Sequence, residues 1–291
     1  MGALGGIAYL IIASVLYSSK RTEGMEHVDY MPLFMIVSGI MIIALCIVMF
    51  AVDEAMLSLE MKEYENAHPE ENLAQTDSES GEEKLPQDVK CSLAFLLCSI
   101  ALWFIAYNGV ETWFTTYAAK MWGMSLGGAS MCLTIATGGA IVSYIPVAQL
   151  ASKIGRRRTI QSGVLLLASC FIVAFVYTML SDMFHSWLYV VFFFVGLAWA
   201  AINVNSLPMV LEMCKGSEVG KFTGLYYTFS MTAQIITPIL AGFLLKHVGY
   251  RTLFPYAAIF SFAAFCTMLM VKHGDTKVEA KRGLEAFDIE D

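Results

Sequence analysis

The chain has 291 residues, 57% of them hydrophobic and 15% charged, with a net charge of −7 and a mean hydropathy of +0.63. A soluble domain carries roughly 25% charged residues, so this chain has too few to cover a water-facing surface of its size. Cytosolic enzymes, secreted disulfide scaffolds and nucleic-acid-binding proteins are poor fits, and a polytopic all-α integral membrane protein remains.

The charge is unevenly spread. Between Glu54 and Asp88 stand eleven acidic residues and two lysines, a local −9 that leaves +2 on the other 256 residues. An acidic, hydrophilic segment inside a hydrophobic chain reads as a solvated loop and shows no need for a basic partner or nucleic acid.

Crossing the hydrocarbon core takes roughly 20 mainly apolar residues as a helix. Eight stretches qualify, at about 3–19, 30–52, 91–119, 125–150, 159–180, 187–211, 222–245 and 252–271. The first has no basic leader, and Lys20-Arg21 stands where a signal peptide would have a small-residue cleavage site. With the second it makes a two-helix hairpin over 1–53. The acidic loop, 54–89, is too polar to fold alone. A six-helix bundle covers 90–272, and 273–291 forms a tail.

Alternate connections hold 13 and 5 of the 18 Lys and Arg residues. The positive-inside rule therefore puts the acidic loop, the Arg156-Arg157-Arg158 turn and both termini in the cytoplasm of a plasma or inner membrane. The seven cysteines form no CxxC and no His/Cys cluster, so they read as small buried hydrophobes, and no metal or cofactor is expected. No HExxH, GxSxG or GxxxxGK pattern occurs, which argues against an enzyme or an ATP-driven pump.

A polar group inside the membrane is expensive unless it faces a cavity or a partner. Glu111 is the one carboxylate well inside the third span. Counted from Lys90 it reaches the far interface; counted back from Lys120 it lies about 13 Å in, near the midplane. It reads either as a proton, cation or hydroxyl site or as an interfacial carboxylate. Asn108-Gly109 lowers helix propensity just before it, so a break in the helix and a close helix crossing are both open.

In the sixth span Trp199, Asn203 and Ser206 share one face, and Asn205, Pro208 and Glu212 define a nearly opposite one. Trp199 with Asn203 offers an aromatic plane plus an amide donor and acceptor, a surface suited to a sugar. Gln234 lies on the seventh span in a stripe with Tyr227, Ser230 and Pro238; Thr134, Thr137 and Tyr144 do the same on the fourth. Interhelical hydrogen bonding competes for all of them.

The run Ala148-Gln149-Leu150-Ala151-Ser152-Lys153-Ile154-Gly155-Arg156-Arg157-Arg158 resembles the cytoplasmic loop signature of the major facilitator superfamily. There Gly, three residues, Asp, Arg, one residue, Gly, Arg and Arg join two helices. Gly155, Arg156 and Arg157 match, Lys153 replaces the first Arg, and Ala148 and Ser152 depart from the pattern. A plain positively charged loop would also fit these residues. The resemblance implies the last two helices of a first six-helix half, the central loop and a whole second half. It also implies about four helices preceding this sequence, the alternative being an unusual eight-helix member.

Within the superfamily, Tyr107–Tyr117, Asn205-Ser206-Leu207-Pro208 and Lys221–Tyr227 look similar to sucrose-type and glycoside–cation symporters. That resemblance implies a sugar or similar small polar solute, bound by Asn108, Glu111, Thr112, Trp113, Trp199, Asn203 and Gln234. Glu111 would couple a proton or sodium ion. Gly155, Arg156, Arg157 and Glu212 would form a cytoplasmic gate, the carboxylate pairing with a loop arginine when that side is closed. The alternative is a membrane assembly or regulatory subunit that transports nothing itself.

The orientation is directly testable. With single cysteines at Ser78 or Ser181 in an otherwise cysteine-free chain, an impermeant thiol reagent applied to intact cells should label position 181 and spare 78. The reverse pattern inverts the topology.

Overall fold

The computed structural model describes residue 12 and residues 31–51, 86–213 and 219–275. The first predicted span, nearly all of the acidic loop and most of the tail lie outside the described residues.

The described residues fall into two compact units. One contains α1, Met31–Ala51, whose Phe34–Ile47 segment is apolar but shorter than a full crossing. The other contains six helices: α2 (Gln87–Trp122), α3 (Leu126–Ile154), α4 (Arg156–Leu180), α5 (Leu188–Leu211), α6 (Val219–His247) and α7 (Leu253–Leu269). All six, α7 together with the Tyr250–Thr252 turn that leads into it, are long and apolar enough to cross a membrane. The fold is all-α, and no strand occurs among the described residues.

Local chemistry sets several of the boundaries. Gly123 takes the left-handed conformation at φ 60° that ends α2. Two residues later the Ser125 side chain accepts the Gly128 N–H at 3.2 Å and opens α3. Helix α2 begins at Gln87, four residues before the predicted span. Its 36 residues reach about 54 Å, well beyond a hydrocarbon core of about 30 Å.

Inside the bundle α2 packs on α6 and α7, α7 on α4, α4 on α5, and α5 on α3. Lipid tails give apolar faces no reason to hide, so such contacts rely on close approach of small residues. Ala106, Ala136, Ala140, Ala198 and Ala200 are buried, whereas Val142, Ile145, Ile172, Ile235, Ile239 and Ile259 face outward. Gly196 of α5 marks the tightest crossing: a Cβ there would collide with the Ala136 carbonyl oxygen of α3.

Of the two readings open at Asn108-Gly109 the structure takes the crossing, and one other expectation is corrected. Helix α2 runs unbroken there, because Gly109 is a crossing residue: a Cβ would meet Tyr256 Cε1 at 2.6 Å. The cysteines are not uniformly buried. Cys132 and Cys170 are, but Cys91, Cys98 and Cys266 are exposed. In a membrane protein small apolar side chains serve the lipid-facing surface as well as the core.

Gly196→Val should therefore force α3 and α5 apart and lower stability in detergent by at least about 1–3 kcal/mol. Gly138→Ala, where nothing lies within 4 Å, should be neutral or stabilising by up to about 1 kcal/mol. Equal thermal midpoints for the two variants would contradict this packing.

Candidate functional site

Glu111 occupies an exposed position on α2. No hydrogen bond or ion pair to its carboxylate occurs among the described residues. Helical spacing sets Asn108, Thr112 and Thr115 in the same stripe; Thr112 is exposed and the other two half-buried.

Its depth follows from its neighbours. Tyr107 stacks on Trp199, with ring centroids 3.9 Å apart and planes 7° from parallel. Trp199 is the twelfth of the 24 residues of α5, the middle of that helix. Glu111 lies four residues beyond Tyr107, about 6 Å further along the axis. It is therefore near the middle of the bundle, and the count taken from Lys120 is the better one.

Contacts fix the rotation of α2. On one side Gly109 lies against Tyr256 and Thr237. On another the Trp113 Nε1–H donates to the Pro238 carbonyl of α6 at 3.0 Å, and the indole fills the space over Gly242, where a Cβ would be 2.5 Å away. Trp113 thus joins two helices. At the Trp122 end, Trp122 packs with Phe114, Tyr117, Tyr177, Phe184 and Phe254, and the Tyr117 and Thr178 hydroxyls bond at 2.6 Å.

The predicted solute-binding residues divide accordingly. Trp199 has one face covered by Tyr107 and the edge of Phe104 against it. Asn203, one turn on, is half-buried. Asn108 donates its amide to its own helix, at Phe104 O, 2.8 Å. Gln234 is half-buried, and its amide reaches only the Met231 sulfur at 3.7 Å. Asn205 is buried and donates to Ala201 O at 2.9 Å, and Ser206 bonds the Tyr226 hydroxyl of α6 at 3.1 Å. Thr134 and Thr137 bond their own helix.

Two residues escape sequence reasoning, Tyr107 and Asp275. Tyr107 stands one helical turn before Glu111, a spacing that could have flagged it. Asp275 has no such signal.

At the other end of the bundle, α3 turns into α4 at Gly155. Arg156 pairs with Glu212 at the end of α5, and both side chains are more than four-fifths buried. Arg157 goes elsewhere: its guanidinium donates to Leu269 O at the end of α7, at 3.0 Å. The two neighbouring arginines therefore serve different helices.

A family model for the Major Facilitator Superfamily matches residues 1–174 and 119–289. The chain belongs to the major facilitator superfamily. Its members are membrane transporters and not enzymes. Membership implies a multi-pass protein in a lipid bilayer that handles a small solute. No individual curated protein matches the chain.

A double-mutant cycle separates the arginines. Glu212→Gln with Arg156→Gln should show a coupling of roughly 0.5–3 kcal/mol in thermal unfolding, whereas Glu212→Gln with Arg157→Gln should be additive within about 0.5 kcal/mol. Coupling to Arg157 instead would contradict the pairing.

Proposed function

We propose that this superfamily transporter is a symporter that uses a proton or sodium gradient to move a sugar, glycoside or similar small polar solute. The carrying observation is a single carboxylate, Glu111, exposed at mid-bundle within a polar stripe and one turn from a stacked Tyr107–Trp199 pair. A charge there is unfavourable against lipid by about 2.5–3.5 kcal/mol or more, so the stripe borders water or a polar partner.

In this reading the solute lies on the face of Trp199 turned away from Tyr107. Apolar ring faces of sugars suit an aromatic plane, and hydroxyls suit Asn203, Gln234, Thr112 and the side-chain oxygen of Asn108. Trp113 acts behind them by holding α6. Glu111 takes the proton or cation, which removes the charge that otherwise opposes closure around it. The six-helix bundle then rocks against the other half of the transporter and exposes the midplane site to alternate sides.

The Arg156–Glu212 contact is read as a gate element on the cytoplasmic side, with the protein in a plasma or inner membrane and both termini inside. Gly155 and Arg157 support the turn that carries it. A pair made in one state alone biases the equilibrium between states by its own free energy, tenfold for each 1.4 kcal/mol or so.

Uptake into proteoliposomes tests the coupling. Glu111→Gln should lower solute accumulation against an imposed proton or sodium gradient at least about tenfold, a loss of about 1.4 kcal/mol in driving, while downhill exchange persists. Undiminished gradient-driven accumulation by Glu111→Gln removes Glu111 from coupling.

A further inference from the structure

The start of α4 has a problem of its own. The first N–H groups of a helix lack intrahelical acceptors, and the residue at the N-cap position is usually Ser, Thr, Asp or Asn, whose oxygen accepts one of them. Here that residue is Gly155, at φ 94°, with no side chain to offer. Three arginines follow it, which adds positive charge to the positive end of the helix dipole.

The acceptor comes from 118 residues away. Asp275, beyond the end of α7, accepts the Arg157 backbone N–H through Oδ1 at 3.2 Å. In an ordinary cap the N-cap side chain bonds the second or third helical N–H, and Arg157 supplies the second. Gly155 also makes room for it: a Cβ on residue 155 would stand 2.6 Å from Asp275 Oδ1.

The segment leading to Asp275 is anchored along its length. The Lys272 N–H donates to Ser92 Oγ at 3.3 Å, and His273 Nδ1 bonds the same hydroxyl at 2.8 Å, both at the start of α2. Gly274 passes so close to the end of α5 that a Cβ would be 2.7 Å from the Met209 carbonyl oxygen. Helix α4 reciprocates: besides Arg157 on Leu269 O, Gln161 donates to Met268 O at 3.3 Å. These are last-turn carbonyls of α7; the Met268 carbonyl also accepts the Val271 N–H at 3.4 Å.

We propose that residues 272–275 form a latch across this end of the bundle, with Asp275 as a positioning residue. It serves as the N-cap that α4 lacks, and so holds the Gly155–Arg157 turn at the angle from which Arg156 reaches Glu212. The latch ties the starts of α2 and α4 to the ends of α5 and α7. The inference concerns contacts within the bundle and stands whether or not the solute is a sugar.

Amide hydrogen exchange of the whole chain in detergent or nanodiscs tests it without any transport readout. In Asp275→Ala, residues 155–160 should exchange about tenfold faster, and so should 209–213, where Glu212 loses its positioned partner, while 177–190 at the opposite end stay unchanged. Asp275→Asn keeps an acceptor oxygen and should hold the 155–160 amides near wild type, as Asn caps about as well as Asp. If Asp275→Ala does not fold, Asp275→Ser, whose shorter side chain withdraws the acceptor, should give the same two-site rise. Unchanged exchange at 155–160 overturns the cap. A rise there with none at 209–213 overturns the positioning of Arg156. A uniform rise at both ends means general destabilisation, and overturns the latch.

Discussion

A carboxylate in hydrocarbon is unfavourable by about 2.5–3.5 kcal/mol on insertion scales. That constraint governs how α2 can be placed. Glu111 lies near mid-bundle with an exposed side chain, and in the proposed reading the face that carries it borders water or a polar partner and not lipid. The remaining faces of α2 are already committed. Gly109 admits Tyr256 of α7, and Trp113 is bonded to Pro238 and packed over Gly242 of α6. Rolling α2 to hide the carboxylate would break both contacts at once. The polar stripe is thus held open by packing that is itself mostly apolar.

The opposite demand is met at the Arg156 end. Helix termini carry four unsatisfied N–H or C=O groups each, and at this end of the bundle several termini converge on one turn. The start of α4 and the end of α7 satisfy each other: Asp275 accepts from Arg157, while Arg157 and Gln161 donate to Leu269 and Met268. Arg156 remains for Glu212 at the end of α5. An N-cap is typically worth about 1 kcal/mol, so no single contact dominates. Their value lies in fixing three helices to one turn, which lets a change at that turn move all of them together.

The sequence disclosed the six spans of the bundle well because length and hydropathy alone determine what can cross a bilayer. It disclosed their edges less well. Gln87, Asp88 and Lys90 are polar, yet α2 includes them, since a helix can continue into water where hydropathy falls silent. Asn108-Gly109 supported two readings because Gly serves a break and a crossing equally, and only the position of Tyr256 separates them. The cysteines misled for a related reason: burial cannot be inferred from polarity when the solvent is itself apolar. Arg156 and Arg157 were equivalent candidates for Glu212, being adjacent and identical, and geometry divided them. The contact of Asp275 was beyond reach, as a pairing across 118 residues leaves no local pattern.

The central claim is that the Glu111 stripe of α2 faces a polar surrounding, which for a transport path means water. Single cysteines placed along residues 104–118 in a cysteine-free background, exposed to a membrane-impermeant hydrophilic thiol reagent from each side in turn, measure this directly. Labelling should recur with helical period at 108, 111, 112 and 115 and be absent at 106, 109, 110 and 117. Labelling that ignores this period, or protection of all four stripe positions from both sides, would contradict the account.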